Sequence, residues 1–166
     1  MQQIAIGFIV FVVQLIVAIV LSAGTLYTGI GLLDRLTPGI DEWKQIKKGN
    51  LAVGIFYATA MFSLIILVAP LIEEFISYLV LPLQPYALLM TFINYLLALL
   101  AGTVIIFLTI NVIDRLTHDL EEMEQLEKGN VAVALIMSVV LLSVVYIASF
   151  PLESAFDSLR CMESLV

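Results

Sequence analysis

Four long stretches of the chain contain no Asp, Glu, Lys or Arg, and this feature constrains the fold more than any other. They cover residues 1–33, 49–72, 75–113 and 129–152. A helix that crosses the hydrocarbon core needs about 20 apolar residues, and each stretch is long enough. Pro82 and Pro85 interrupt the third stretch, so a span is expected to begin near Tyr86. The predicted spans are roughly 4–33, 51–72, 86–113 and 131–152.

The composition favours an all-α membrane protein. Hydrophobic residues make up 62% of the chain and charged residues 13%, whereas soluble domains average about 45–50% and about 25%. The formal net charge of -7 argues against nucleic-acid binding, and the single cysteine, Cys161, argues against a disulfide scaffold. We interpret the first span as a retained anchor, because its uncharged run is longer than the apolar core of a signal peptide.

The basic residues predict how the chain is oriented. Six of the seven Lys and Arg residues lie in the loops 34–48 and 114–128. The positive-inside rule assigns such loops to the cytoplasm. We therefore expect a multi-pass protein of the cell membrane with both loops in the cytoplasm and both termini outside.

These two loops are copies of each other. Between residues 34–53 and 114–133, eleven of twenty positions are identical without a gap. The repeat spans 80 residues and predicts two copies, 1–80 and 81–166, each with two spans and a short interfacial helix. Because the copies insert in the same direction, a pseudo-twofold axis along the membrane normal is expected. The repeated motif residues are Asp34, Arg35, Thr37, Lys48, Gly49, Asn50, Asp114, Arg115, Thr117, Lys128, Gly129 and Asn130.

The Gly-Asn pair that closes each loop predicts a corner. Gly49 and Gly129 can adopt the left-handed conformation that ends a helix, and Asn50 and Asn130 can then cap the next span. A ligand or ion site at this corner is the alternative, since the N-terminus of a helix favours anions. For Asp34, we expect interfacial anchoring with a local ion pair to Arg35, or else a charged ring around the pseudo-axis.

The predicted spans carry neutral polar residues but no ionisable group deep inside, which argues against proton-coupled transport. Small residues at matching positions predict a symmetric central contact between the second and fourth spans. These packing residues are Gly54, Ala58, Ser63, Ala134, Ser138 and Ser143. We interpret the acidic run 119–127 as a solvated face, and we predict no metal, no cofactor and no catalytic constellation.

The repeated pattern Asp-Arg-Leu-Thr … Glu … Lys-Gly-Asn-x-Ala-Val resembles domain-of-unknown-function family 350, a family of bacterial and archaeal membrane proteins. The resemblance covers nearly the whole chain as two tandem copies. It implies a multi-pass cell-membrane protein without established activity. It also implies a setting in membrane or envelope stress, because relatives are thought to be encoded beside a membrane-remodelling protein and a peptide-ligase-like enzyme.

The sequence thus favours a non-enzymatic membrane scaffold or interaction protein. We expect it to form a homo-oligomer in the lipid bilayer and to bind a cytoplasmic protein at loops 34–48 and 114–128. A small channel or transporter without proton coupling is the alternative.

Overall fold

A computed structural model describes residues 2–36, 41–80, 84–116 and 122–163. The described chain is entirely α-helix and short connections, as predicted. The six helices are α1 (Gln2–Leu36), α2 (Glu42–Lys47), α3 (Leu51–Ser77), α4 (Pro85–Leu116), α5 (Glu122–Glu127) and α6 (Val131–Glu163). We call α2 and α5 the linker helices, and the end of the bundle where they lie the linker-helix end.

Four helices are long and apolar enough to cross a membrane: α1, α3, α4 and α6. Their candidate spans are Ile4–Leu32, Leu51–Ser77, Pro85–Ile113 and Val131–Ser158. The second and fourth extend beyond the predicted ends at 72 and 152, through Glu73 and Glu153. Carboxylates mark where the hydrocarbon must stop, but a helix that satisfies its own backbone continues into the headgroup region.

Prolines occupy three positions in these helices. Pro85 is the first residue of α4, where the absent N–H has no intrahelical partner to lose. Pro70 and Pro151 lie inside α3 and α6 without ending either helix. Proline is tolerated within membrane helices because neighbouring groups satisfy the backbone that it releases.

Helix α3 lies at the centre of the bundle. It packs on α1, α4 and α6, and α4 also packs on α6. Two glycines permit the close approach of the neighbours, because a β-carbon added at Gly29 or Gly102 would lie 2.9 Å or 3.0 Å from the nearest methyl of Leu64. At Gly102 the same β-carbon would also lie 3.1 Å from Leu67 Cδ1.

The expected contact between the second and fourth spans is present, since α3 packs most extensively on α6. It is not symmetric, and this part of the sequence-based prediction was wrong. Leu67 of α3 is 3% exposed, whereas its equivalent in α6, Ile147, is 66% exposed. The cavity between these helices is lined by Leu67 and Leu71 of α3 but by Ser149 and Leu152 of α6, which are not their equivalents. Related helices that met across a twofold axis would use equivalent residues, so α3 and α6 meet through different faces.

Filling the space at Gly102 should destabilise the bundle. We expect Gly102→Leu to lower the free energy of unfolding by about 1–3 kcal/mol, the usual cost of overpacking. Gly31→Leu is the matched control, because an added β-carbon there would meet nothing within 4 Å. Unfolding by SDS titration in mixed micelles measures both variants, and equal destabilisation would contradict the close approach of α3 and α4.

Candidate functional site

The linker-helix end carries most of the repeated motif, and its Gly-Asn corners have the predicted backbone. Gly49 and Gly129 have φ values of +82° and +81°. In the first copy Gly49 N donates to Ile46 O at 2.9 Å, and Asn50 N donates to the carbonyl of Gln45 at 3.0 Å. The second copy repeats both bonds. This paired arrangement satisfies the carbonyls that a helix C-terminus leaves open.

Each corner asparagine also caps the following span, as predicted. Asn50 Oδ1 accepts a hydrogen bond from Val53 N at 3.3 Å, and Asn130 Oδ1 accepts one from Val133 N at 3.4 Å. The corner therefore ends one helix and begins the next within two residues. It fixes the angle between each linker helix and the span that follows it.

Asn50 makes an additional contact, which the sequence did not predict. Its Nδ2 donates to Leu126 O at 2.9 Å and to Glu127 O at 3.0 Å, at the C-terminus of α5 in the other repeat. Gln45 Nε2 lies 3.4 Å from Glu127 Oε1 and adds a second link between the linker helices. Each asparagine also donates to the glutamine of its own copy, Asn50 to Gln45 at 3.4 Å and Asn130 to Gln125 at 3.1 Å, but for Asn130 no bond to the other copy is observed among the described residues. Asn50 therefore joins α2, α3 and α5 into one unit.

The first residue of each linker helix is a buried glutamate. Glu42 is 6% exposed and its equivalent Glu122 is 5% exposed. The repeat has Glu at both positions, but its burial was not predicted from the sequence. A carboxylate in the first turn interacts favourably with the helix dipole, which lowers the cost of placing it there.

Asp34 ties the end of α1 to α3. Its Oδ1 accepts a hydrogen bond from Tyr57 Oη at 3.2 Å, and Trp43 packs edge-on against the Tyr57 ring at 6.2 Å between centroids. The observed partner of Asp34 is therefore a tyrosine, and interfacial anchoring with an ion pair to Arg35 stays a prediction. Position 57 corresponds to Met137 in the second copy, so this bond belongs to the first repeat. The side chain of Asp114 lies outside the described residues, and the charged ring stays a prediction.

The charged motif residues lie at the surface. Arg35, Arg115, Lys48 and Lys128 are all exposed, and Lys128 Nζ pairs with Glu124 Oε1 at 2.6 Å. Thr37, Thr117 and the other predicted features of residues 37–40 and 117–121 lie outside the described part of the chain.

Within the spans, some neutral polar residues join neighbouring helices. Thr25 of α1 is 1% exposed, and its hydroxyl lies 3.0 Å from Tyr95 Oη of α4. Gln14 Nε2 of α1 donates to Ile76 O of α3 at 3.1 Å. Other hydroxyls, such as that of Thr109, donate to a carbonyl one turn back in their own helix. These bonds satisfy polar groups inside hydrocarbon.

The predicted packing residues are placed unequally. Ser63, Ala134 and Ser138 are buried, at 0%, 0% and 5% exposure. Ala58 and Ser143 are exposed and Gly54 is half-buried. The role of these six residues as a set stays a prediction.

Two cavities lie against α3, away from the linker-helix end. One of about 230 Å³ lies between α3 and α6 and is lined partly by Glu74, Glu153 and Asp157. The other, of about 290 Å³, lies between α1 and α3 and is mainly apolar. Among the described residues no group of three or more His, Cys, Asp or Glu is placed to hold a metal ion.

Comparison with known proteins gives one match. The family model described as Domain of Unknown Function (DUF350) matches residues 3–83 and again residues 86–165. No curated protein and no solved structure matches the chain. The two tandem copies read from the sequence are therefore confirmed.

Removing the side-chain amide from each corner should lower the free energy of unfolding by different amounts in the two copies. Both Asn50→Ala and Asn130→Ala lose a cap and a bond to the glutamine of the same copy, but only Asn50→Ala also loses the bonds to α5. A lost cap costs about 0.5–2 kcal/mol of stability, and each further bond about 1 kcal/mol. We expect Asn50→Ala to be the more destabilising by about 1 kcal/mol in SDS titration. Equal losses would show that the bonds to α5 contribute nothing.

Proposed function

We propose that this chain, which belongs to the DUF350 family, is a non-enzymatic scaffold of the cell membrane that binds a cytoplasmic protein at its linker-helix end. The surface consists of the exposed residues of α2 and α5 and of the corners that follow them. This surface would serve the envelope-stress setting that the family resemblance implies.

The link made by Asn50 carries this proposal. Its amide holds α5 while its carbonyl oxygen caps α3, so the linker helices form one preformed surface. A surface that is already ordered loses less conformational entropy when a partner binds. Gln45, bonded to Glu127, adds to the same order.

The charges of this surface suggest what the partner looks like. Lys44, Lys47 and Lys48 are exposed on and after α2, whereas Glu124 and Glu127 are exposed on α5. One half is thus basic and the other mainly acidic. Complementary charge provides specificity and speeds association, so the partner is expected to present an acidic patch to α2 and a basic patch to α5.

The packing of the bundle favours a scaffold over a pore between the repeats. Leu67 of α3 and Leu141 and Val145 of α6 are at most 3% exposed, and these helices pack closely. The hydroxyls of Ser63 and Ser138 are buried without a hydrogen-bond partner. Two isolated hydroxyls in an apolar contact do not form a continuous polar path for ions.

Charge reversal on α2 tests the proposed surface. A photo-crosslinking residue in place of Trp43, which is 49% exposed, should capture one partner in intact cells. With that partner purified, Lys44→Glu with Lys47→Glu should weaken binding about tenfold, or about 1.4 kcal/mol. The matched control, Lys44→Arg with Lys47→Arg, should bind normally.

Equal binding by the charge-reversed and control proteins would contradict the proposed surface. The pore alternative is tested separately, by ion and small-solute flux in liposomes. A flux that changes with Asn50→Leu would overturn the scaffold proposal.

Orientation provides a further prediction. A cysteine at Lys47 should react with impermeant maleimide only after the cells are opened, and a cysteine at Gln84 should react in intact cells, because basic loops stay in the cytoplasm. Both positions are exposed, and Cys161→Ser provides a cysteine-free background. The reverse labelling pattern would place the linker helices outside.

A further inference from the structure

Equivalent helices of the two repeats bury different faces. Phe56 and Leu67 of α3 are 4% and 3% exposed, whereas their equivalents Ile136 and Ile147 of α6 are 64% and 66% exposed. The difference also runs the other way. Ser138 of α6 is 5% exposed, but its equivalent in α3, Ala58, is exposed.

A contact made through different faces of two related units is heterologous, so it leaves one face of each kind unused. Within this chain, the face of α3 that packs on α6 is not equivalent to the face of α6 that packs on α3. The unused face of α6 includes the exposed residues Ile147 and Phe150. The unused face of α3 includes Ala69 and Ile72, the equivalents of Ser149 and Leu152.

The unused face of α3 forms one wall of the cavity between α1 and α3. Six α3 residues line this groove of about 290 Å³, and four of them are Ile65, Ala69, Ile72 and Ile76. Eighty residues further on lie their equivalents, Val145, Ser149, Leu152 and Phe156. Val145 and Phe156 are buried, and the last three of these equivalents line the cavity where α6 meets α3. The groove is thus the counterpart, in the first repeat, of the surface that α6 uses in the second.

The packing between α3 and α4 has corresponding residues in α6 and α1. In the chain, Gly102 of α4 fits against Leu64 and Leu67 of α3. The corresponding residues are Ser22 of α1 and Val144 and Ile147 of α6, and all three are exposed. Serine is larger than glycine and valine is smaller than leucine. Ser22 of α1 can therefore pack on Val144 of α6 as Gly102 packs on Leu64, because the larger residue in one helix is offset by the smaller residue in the other.

We propose that α6 of one copy docks into the α1/α3 groove of a second copy, repeating between chains the contact that joins the two repeats within a chain. Copies then associate head to tail in the membrane plane, with α1 of the second copy covering the exposed face of α6. Such an interface closes into a ring or continues as a row. This inference goes beyond the scaffold function and does not depend on it.

Paired cysteines test the interface directly. In the Cys161→Ser background, Ala69→Cys lies in the groove and Phe150→Cys lies on the α6 face, where Phe150 is 55% exposed. With both substitutions, a short bis-maleimide added to native membranes should produce a ladder of dimers, trimers and larger species. Each single variant should remain monomeric, and co-expression of the two single variants should give dimers only.

Two further pairs complete the test. Ala69→Cys with Leu100→Cys joins the groove to the lipid face of α4, where Leu100 is 63% exposed, and should give no ladder. Pro70→Cys with Ser149→Cys lies across the cavity between α3 and α6 and should link within one chain. That result shows that the cysteine variants retain the contact that is copied between chains.

Three results would overturn the proposal. One is dimer formation by Phe150→Cys alone, which would indicate a twofold contact. Another is equal cross-linking by the Leu100 pair, which would indicate random collision. The third is a monomer from the Ala69/Phe150 pair, which would mean that lipid or another protein fills the groove.

Discussion

Hydrocarbon offers no hydrogen bonds, and the whole arrangement of this molecule depends on that constraint. Backbone groups are satisfied within the four long helices, and polar side chains such as those of Gln14, Thr25 and Thr109 bond to carbonyls or to each other. The exposed charged residues lie at the two ends of the bundle. Distinctive chemistry is consequently concentrated where the helices leave the bilayer, and at the linker-helix end two short helices organise it.

The protein contains two copies of one hairpin, but the two copies differ in their position in the bundle and in their contacts. α3 became the centre of the bundle, while α1 stayed at its edge, with none of the most hydrophobic part of its span buried. Identical asparagines at the two corners have different partners because only Asn50 reaches the other copy. Tyr57 and Met137 show that substitution has since deepened the difference.

What the sequence predicted correctly depended on local rules. Uncharged length identified the spans, and the Gly-Asn pairs identified the corners, because a left-handed glycine and an N-cap need only their neighbours in the chain. The bonds from Asn50 to α5, the burial of Glu42 and the unequal faces of α3 and α6 could not be predicted. They depend on how the copies pack together, which the local patterns within one copy do not determine.

The position of Asn50 also bears on how the chain is made. Synthesis proceeds from the N-terminus, so α1 and α3 enter the bilayer before α5 exists. During that interval the Asn50 amide has no carbonyl of Leu126 or Glu127 to bond, and only Gln45 Oε1 and water can accept from it. Because Asn50 lies at the start of a span, beside the aqueous boundary, water can reach its amide and the delay costs little free energy. At mid-span the same amide would lie in hydrocarbon without a hydrogen bond until the second repeat was inserted, which would destabilise the nascent hairpin.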